Sequence, residues 1–202
     1  MGQEVECTMR YGERQIAGKA QLEGDFVLFR GGKDRLKVGF KELTGVTAAA
    51  GVLRLEFAGG PAEFELGKAA EKWAGKILNP PTRADKLGLK SGLTARLAGQ
   101  FHAEFAQEVA ARGVVSATAR QKADIIFCLA DRAAELAQIA KLAGGMKPDG
   151  ALWIVFPKGV KTIREIEVIE AGRSAGLKDV KVASFSSTHT ALKFVVPLAN
   201  RL

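Results

Sequence analysis

Few residues in this chain have the types and spacings that chemistry needs. His102 and His189 are its only histidines, and Cys7 and Cys128 its only cysteines. A metal site would need three or four such ligands at short spacings, so no metal is expected. Both cysteines lie in apolar or alternating stretches and read as core residues. Three further residues stand where apolar runs end. Gly99 lies in Leu97-Ala98-Gly99-Gln100-Phe101-His102, Asp131 follows Ile125–Ala130, and Lys158 follows Ala151–Pro157. Open α/β sheets bind ligands beyond the carboxyl ends of their strands, which makes Gly99, Asp131 and Lys158 the candidate binding residues. Asp131 also reads as a helix cap, which accounts for it without a ligand. With Lys161 and Arg164, Lys158 forms a basic edge suited to a small anionic ligand.

The elements that must position these residues change character at Asn79-Pro80-Pro81-Thr82. Paired prolines neither continue a helix nor donate to a sheet. Before them period-2 alternation dominates: Val5, Cys7, Met9 and Tyr11 alternate with Glu4, Glu6, Thr8 and Arg10. Six or seven short strands follow one another, with turns at Gly12-Glu13 and Gly31-Gly32-Lys33-Asp34. The period then changes, and Ala69, Trp73 and Ile77 mark a helix. Beyond the prolines, helices centred on Phe101–Ala110, Leu136–Ala143 and Thr162–Ala175 alternate with buried strands. Asp124–Ala130 and Ala151–Phe156 are continuous apolar runs of the kind covered on both faces. Val180–Phe185 and Ala191–Val196 read as a terminal hairpin around Ser187-Thr188-His189. Two domains are expected, residues 1–79 and 84–202, the second with its strands mostly parallel.

The 202 residues are 47% apolar and 26% charged, which excludes a disordered chain and a disulfide scaffold. No apolar run reaches the roughly 20 residues of a membrane span, so no integral membrane association is expected. The first fifteen residues have no apolar stretch of the signal-peptide type. With two distant cysteines, the chain reads as cytoplasmic. The net charge is +8, and residues 87–202 hold 16 basic against 10 acidic side chains. That excess is scattered, and the second domain's aromatics fall at core positions, so specific nucleic-acid recognition is not expected.

Strands followed by one amphipathic helix, with Trp73 placed to plug the sheet, resemble a pleckstrin-homology-like (PH-like) barrel over residues 1–79. In that superfamily, lipid-binding members use basic residues in loops near the first strands. The equivalents here are Arg10, Arg14, Arg30, Lys33 and Arg35, diluted by Glu13 and Asp34, so peptide binding or docking to the neighbouring domain is the reading favoured here. Met146-Lys147-Pro148-Asp149-Gly150-Ala151-Leu152-Trp153-Ile154 resembles the turn and strand of class I methyltransferase-type Rossmann domains. A closer resemblance is to a bacterial family of small Rossmann-like domains of unknown function. It rests on Lys86-Leu87-Gly88-Leu89-Lys90, Lys147–Trp153, Phe156-Pro157-Lys158, Gly176–Val182 and Leu192–Val195. That family carries a tryptophan before its terminal strand, where this chain reads Ser187-Thr188-His189-Thr190.

A working methyltransferase of this kind needs a glycine-rich turn after its first strand and an acid after its second. Here the first turn holds the single glycine Gly99, and the second position reads Thr118-Ala119-Arg120-Gln121-Lys122. The sequence therefore points to a two-domain, non-enzymatic binding or adaptor protein without a cofactor, engaging a protein partner or a small anionic ligand. The alternative is an enzyme that binds a small anion, a nucleotide or S-adenosylmethionine at Gly99, Asp131 and Lys158.

Overall fold

The computed structural model describes residues 3–200. The chain divides into two compact units, one up to Pro81 and one from Thr82.

The first unit contains seven strands: β1 (Gln3–Tyr11), β2 (Arg14–Leu22), β3 (Phe26–Gly31), β4 (Asp34–Gly39), β5 (Leu43–Ala49), β6 (Val52–Phe57) and β7 (Ala62–Glu65). Every pairing is antiparallel, and the order is β4-β3-β2-β1-β7-β6-β5. Helix α1 (Ala70–Leu78) buries Ala70, Trp73, Ala74 and Ile77, the i, i+3, i+4, i+7 stripe of an amphipathic helix. These side chains join Met9, Phe29, Leu53, Leu55 and Phe64 in one core. Each large side chain buried there contributes about 1.5–3 kcal/mol.

The expectation of a PH-like barrel is corrected here. Among the described residues no ladder joins β4 to β5, so the sheet is an open half-barrel with two edges. A short 3₁₀ turn, Phe40–Glu42, separates those strands, and the register of β5 on β6 breaks between Leu43 and Gly45. Exposed Arg35 and Lys37 charge the β4 edge, a common protection against edge-to-edge pairing. The basic residues suggested for lipid are partly engaged. Arg14 pairs with Asp34 at 3.0 Å, and Arg10 with Glu63 at 3.4 Å.

The second unit opens with α2 (Arg83–Leu87) and continues through β8 (Thr94–Ala98), α3 (Ala103–Ala111), β9 (Val115–Ser116) and β10 (Ala123–Leu129). A 3₁₀ turn (Ala133–Gln138) runs into α4 (Ile139–Ala143). Then come β11 (Met146–Pro157), α5 (Glu165–Ser174), β12 (Lys178–Ser184) and β13 (His189–Val195). The sheet order is β12-β13-β11-β10-β8-β9. It is mixed, with β8, β9, β10 and β11 pairing in parallel while β13 runs antiparallel to both β11 and β12. Three of its five ladders are parallel, and the β12–β13 hairpin supplies the antiparallel part. The chain leaves β8 for β9 on one side and returns to β10 on the other, so the strand order reverses between β8 and β10.

Both faces of this sheet are covered, which is why β10 and β11 are apolar without alternation. Ile126, Cys128, Leu152 and Ile154 pack with Ile139, Leu142 and Val168. Ile125, Phe127, Trp153 and Val155 pack with Leu87, Phe105 and Val109 on the other face. The buried Trp153 indole donates to Leu87 O at 3.1 Å, fixing α2 against the sheet. Below the opposite strand ends, Asp124 accepts from Thr94 N at 2.8 Å and from Lys147 Nζ at 2.9 Å. Burial raises the Asp124 carboxyl, but the hydrogen bonds from Lys147 and Thr94 outweigh it and hold the group at about 2. Among the described residues, no helix is long and apolar enough to cross a membrane.

Candidate functional site

A cleft of about 300 Å³ opens beyond the carboxyl ends of β8 and β10, where the strand order reverses. Three segments build it. The turn after β8 supplies Gln100, Phe101 and His102, and α3 adds Glu104 and Phe105. The end of β10 supplies Leu129 and Asp131. The β12–β13 turn supplies Phe185 and Ser186 through His189, and Arg83 completes the rim.

Gly99 sits at the hinge of this arrangement with φ +104°, a conformation that side chains rarely adopt. A Cβ there would lie 3.0 Å from Leu129 Cβ and 3.2 Å from Leu129 O. The bare backbone lets the turn after β8 close onto β10, so Gly99 shapes the cleft without lining it.

Asp131 lines the cleft, and the capping role suggested for it falls to another residue. The Glu135 carboxylate accepts from the N–H of Asp131 at 2.7 Å. The Asp131 backbone carbonyl accepts from Thr162 Oγ1 at 3.1 Å. Held at both ends, Asp131 turns its carboxylate toward His189, whose Nε2 lies 3.2 Å from Asp131 Oδ1. The other ring nitrogen, Nδ1, lies 2.9 Å from Thr188 Oγ1. Side-chain exposures of 56% for Asp131 and 27% for His189 leave the pair reachable by a ligand.

Lys158 lies outside this cleft. Its ammonium donates to Ser186 O at 2.7 Å and to Ser184 Oγ at 3.2 Å, and its backbone N–H to Thr188 O at 2.8 Å. It braces the turn that carries His189 and lines a separate, shallower depression with Ile163 and Arg164.

The wall of the cleft is aromatic. Phe105 meets Phe185 at 4.8 Å and Phe101 at 5.2 Å between ring centres. The Arg83 guanidinium lies 5.0 Å over both Phe105 and Phe185, and its Nε donates to Glu108 at 2.7 Å. This cation is therefore fixed and largely neutralised before any ligand arrives.

Of the residues named from sequence, the structure brings Asp131 into the cleft with His189 and His102. It leaves Lys158, and Arg120 and Lys122 beyond β9, elsewhere. The pairing of His189 with Asp131 went unread, although one signal pointed to it. A strand antiparallel to β11 must begin where the parallel strands end, and the register sets His189 opposite Pro157. The cysteines offer no reactive group here. Burial pushes the Cys128 thiol up to about 12 and raises that of Cys7. Among the described residues, no cluster of three His, Cys, Asp or Glu side chains is arranged to hold a metal.

No protein-family model matches the chain, and no curated protein matches it either. The resemblance to a bacterial family of unknown function is therefore not sustained. Solved structures do match. A SAM-dependent methyltransferase from Aquifex aeolicus is 15% identical over 60% of this chain and 96% of its own, with a TM-score of 0.44. A putative methyltransferase from Thermoplasma acidophilum is 11% identical over 95% of this chain and 97% of its own, at 0.43. Magnesium protoporphyrin IX methyltransferase from Synechocystis PCC 6803, with bound SAM, is 18% identical over 57% of this chain and 74% of its own, at 0.39. One match thus runs along nearly the whole chain. The non-enzymatic adaptor reading is withdrawn in favour of the ligand-binding enzyme named as its alternative, which suits the cleft at the strand-order reversal. TM-scores below 0.5 carry no argument about chemistry, so the case for a ligand rests on the cleft.

Proposed function

We propose that this chain is an enzyme that binds S-adenosylmethionine in the cleft between the ends of β8 and β10. The observation that carries the reading is the lining at the strand-order reversal: phenyl faces, two imidazoles and two carboxylates, with no lysine. That lining separates the candidate ligands named from sequence. A polyphosphate nucleotide needs uncompensated cations, whereas Arg83 is paired with Glu108 and both Asp131 and Glu104 would repel phosphate. A small anion meets the same repulsion. S-Adenosylmethionine carries a flat base, a sulfonium, an ammonium and a carboxylate. Phe101 and Phe185, both half-buried, suit the base and the sulfonium. Asp131 and Glu104 suit the cationic groups, and Gln100 and His102 can donate to the carboxylate. When bound, this cofactor supplies an electrophilic methyl group. The free thiols of Cys7 and Cys128 accord with a cytoplasmic setting as part of the same proposal.

Thermal unfolding of the whole chain in titrations of S-adenosylmethionine, S-adenosylhomocysteine and ATP tests the reading. Saturable stabilisation by several degrees with the two adenosyl ligands, and none with ATP, is expected. Stabilisation by ATP alone, or by none of the three, overturns it.

A further inference from the structure

Among the described residues four strands end the two sheets, and three of them carry devices that discourage pairing with another chain. β4 presents exposed Arg35 and Lys37. β9 is only 2 residues long. β12, despite exposed Val180 and Val182, carries Lys178, Asp179 and Lys181, and its register on β13 breaks between Asp179 and Lys181. Charge, shortness and bulges keep a row of unpaired backbone groups from templating a further strand. β5 has the length to pair, 7 residues, and lacks the charge. Residues 43–53, which run through the turn into β6, hold no charged side chain. Its one irregularity, the register break between Leu43 and Gly45, lies at its start.

The β5–β6 hairpin fixes which backbone groups face outward. Ala50 and Gly51, at φ +50° and +80°, make a two-residue turn. Ala49 and Val52 therefore exchange hydrogen bonds, and so do Thr47 and Arg54. The bond from Leu66 N–H to Gly51 O, 2.9 Å on the β7 side of the same hairpin, fits that alternation. The N–H and C=O groups of Val46 and Ala48 then point away from β6, to a side where no strand lies among the described residues. Their side chains turn into the core opposite Leu55 and Leu53, while Thr47 and Ala49 are exposed on the outer face.

We propose that the β5 edge joins two copies of this chain, β5 against β5 in antiparallel register about a two-fold axis at Thr47. Setting Val46 opposite Ala48 of the second copy uses both outward residues and avoids the break at Leu43 and the turn at Ala50. Reciprocal pairs of backbone hydrogen bonds then flank Thr47, which meets its own twin as a non-hydrogen-bonded pair. Opposed threonines are a favourable cross-strand pair, and no like charges meet along β5. A two-fold contact must be self-complementary, and an uncharged strand with a threonine on the axis meets that condition. A charged peptide would find no counter-charge on it. The contact is built from the first unit alone and is independent of the cofactor reading.

Sedimentation equilibrium of the full chain over a range of concentrations should show a monomer in equilibrium with a dimer. Ala48→Pro removes an outward N–H at a position where an edge strand tolerates proline, and should abolish the dimer. Thr47→Lys alters only an exposed side chain of the single copy, so it keeps the test valid if the proline variant does not fold. It faces two ammonium groups across the axis and should weaken dimerisation by about fivefold. Cross-linking reads the register. In a Cys7→Ser background, Thr47→Cys should form a disulfide with its twin under mild oxidation, since directly opposed positions are within reach of one. Ala49→Cys, which meets Gly45 of the second copy, should stay reduced. A chain that remains monomeric at every concentration overturns the proposal and leaves the β5 edge to an extended segment of another protein. A dimer indifferent to both Ala48→Pro and Thr47→Lys, or one in which Ala49→Cys cross-links as readily as Thr47→Cys, also overturns it.

Discussion

Asp131 Oδ1 lies 3.2 Å from His189 Nε2, joining the loop after β10 to the first residue of β13 across the mouth of the cleft. Three constraints make that contact. Glu135 takes the Asp131 N–H, Thr162 holds its carbonyl, and Lys158 grips the turn that presents His189. Removing the brace should therefore disturb the site without touching it. Lys158→Met is expected to leave the fold intact and to loosen the 185–189 turn. Faster amide exchange at residues 185–189, with the rates in β10 and β11 unchanged, is the measurement that checks this.

Gly99 is required by geometry. Its φ of +104° strains any side chain, and a Cβ would press on Leu129 at 3.0 Å. Gly99→Ala should destabilise the second unit by about 1–3 kcal/mol, read by urea unfolding. An unchanged midpoint would show that the turn after β8 can move away from β10.

Asp124 predicts a pH dependence. Its folded carboxyl sits at about 2, below the unfolded value, so its contribution is present above about pH 4 and is lost as pH falls through about 2. Asp124→Asn should cost about 1–3 kcal/mol at neutral pH by weakening the bonds with Thr94 and Lys147. The difference from the unaltered chain should shrink between pH 4 and pH 2 in paired unfolding curves.

Much of the element order was legible, because periodicity reports burial directly. Val5, Cys7 and Met9 alternate with charges since one face of β1 is wet, and Ile125–Cys128 does not alternate since both faces of β10 are covered. Closure and pairing were not legible. Nothing in Arg35, Lys37 or Leu43 says locally whether β4 meets β5, and the expected PH-like barrel rested on element order alone. The contacts within the site were hidden for the same reason. Asp131 beside a helical run reads as a cap, and only the helix starting later, with Glu135 doing the capping, releases its carboxylate. His189 reads as a lone turn residue until the β11–β13 register places it over the β10 end. Lys158, basic and after a buried strand, looked like an anion ligand, but its reach to Ser186 O is a tertiary fact.

The thiols should be silent in the folded chain. With Cys128 buried and its thiol raised to about 12, and Cys7 also raised, a disulfide-exchange reagent at pH 8 should label Cys128 only as fast as the second unit unfolds. Fast stoichiometric labelling of Cys128 in native buffer would contradict the packing of β10.

The central claim is that the cleft between β8 and β10 takes an adenosyl ligand through Asp131. Calorimetric titration of the full chain with S-adenosylhomocysteine, alongside Asp131→Asn, tests it most directly. One-to-one saturable binding is predicted, weakened by about tenfold in the variant, equivalent to ~1.4 kcal/mol. No saturable heat, or the same affinity with and without the Asp131 carboxylate, would contradict it.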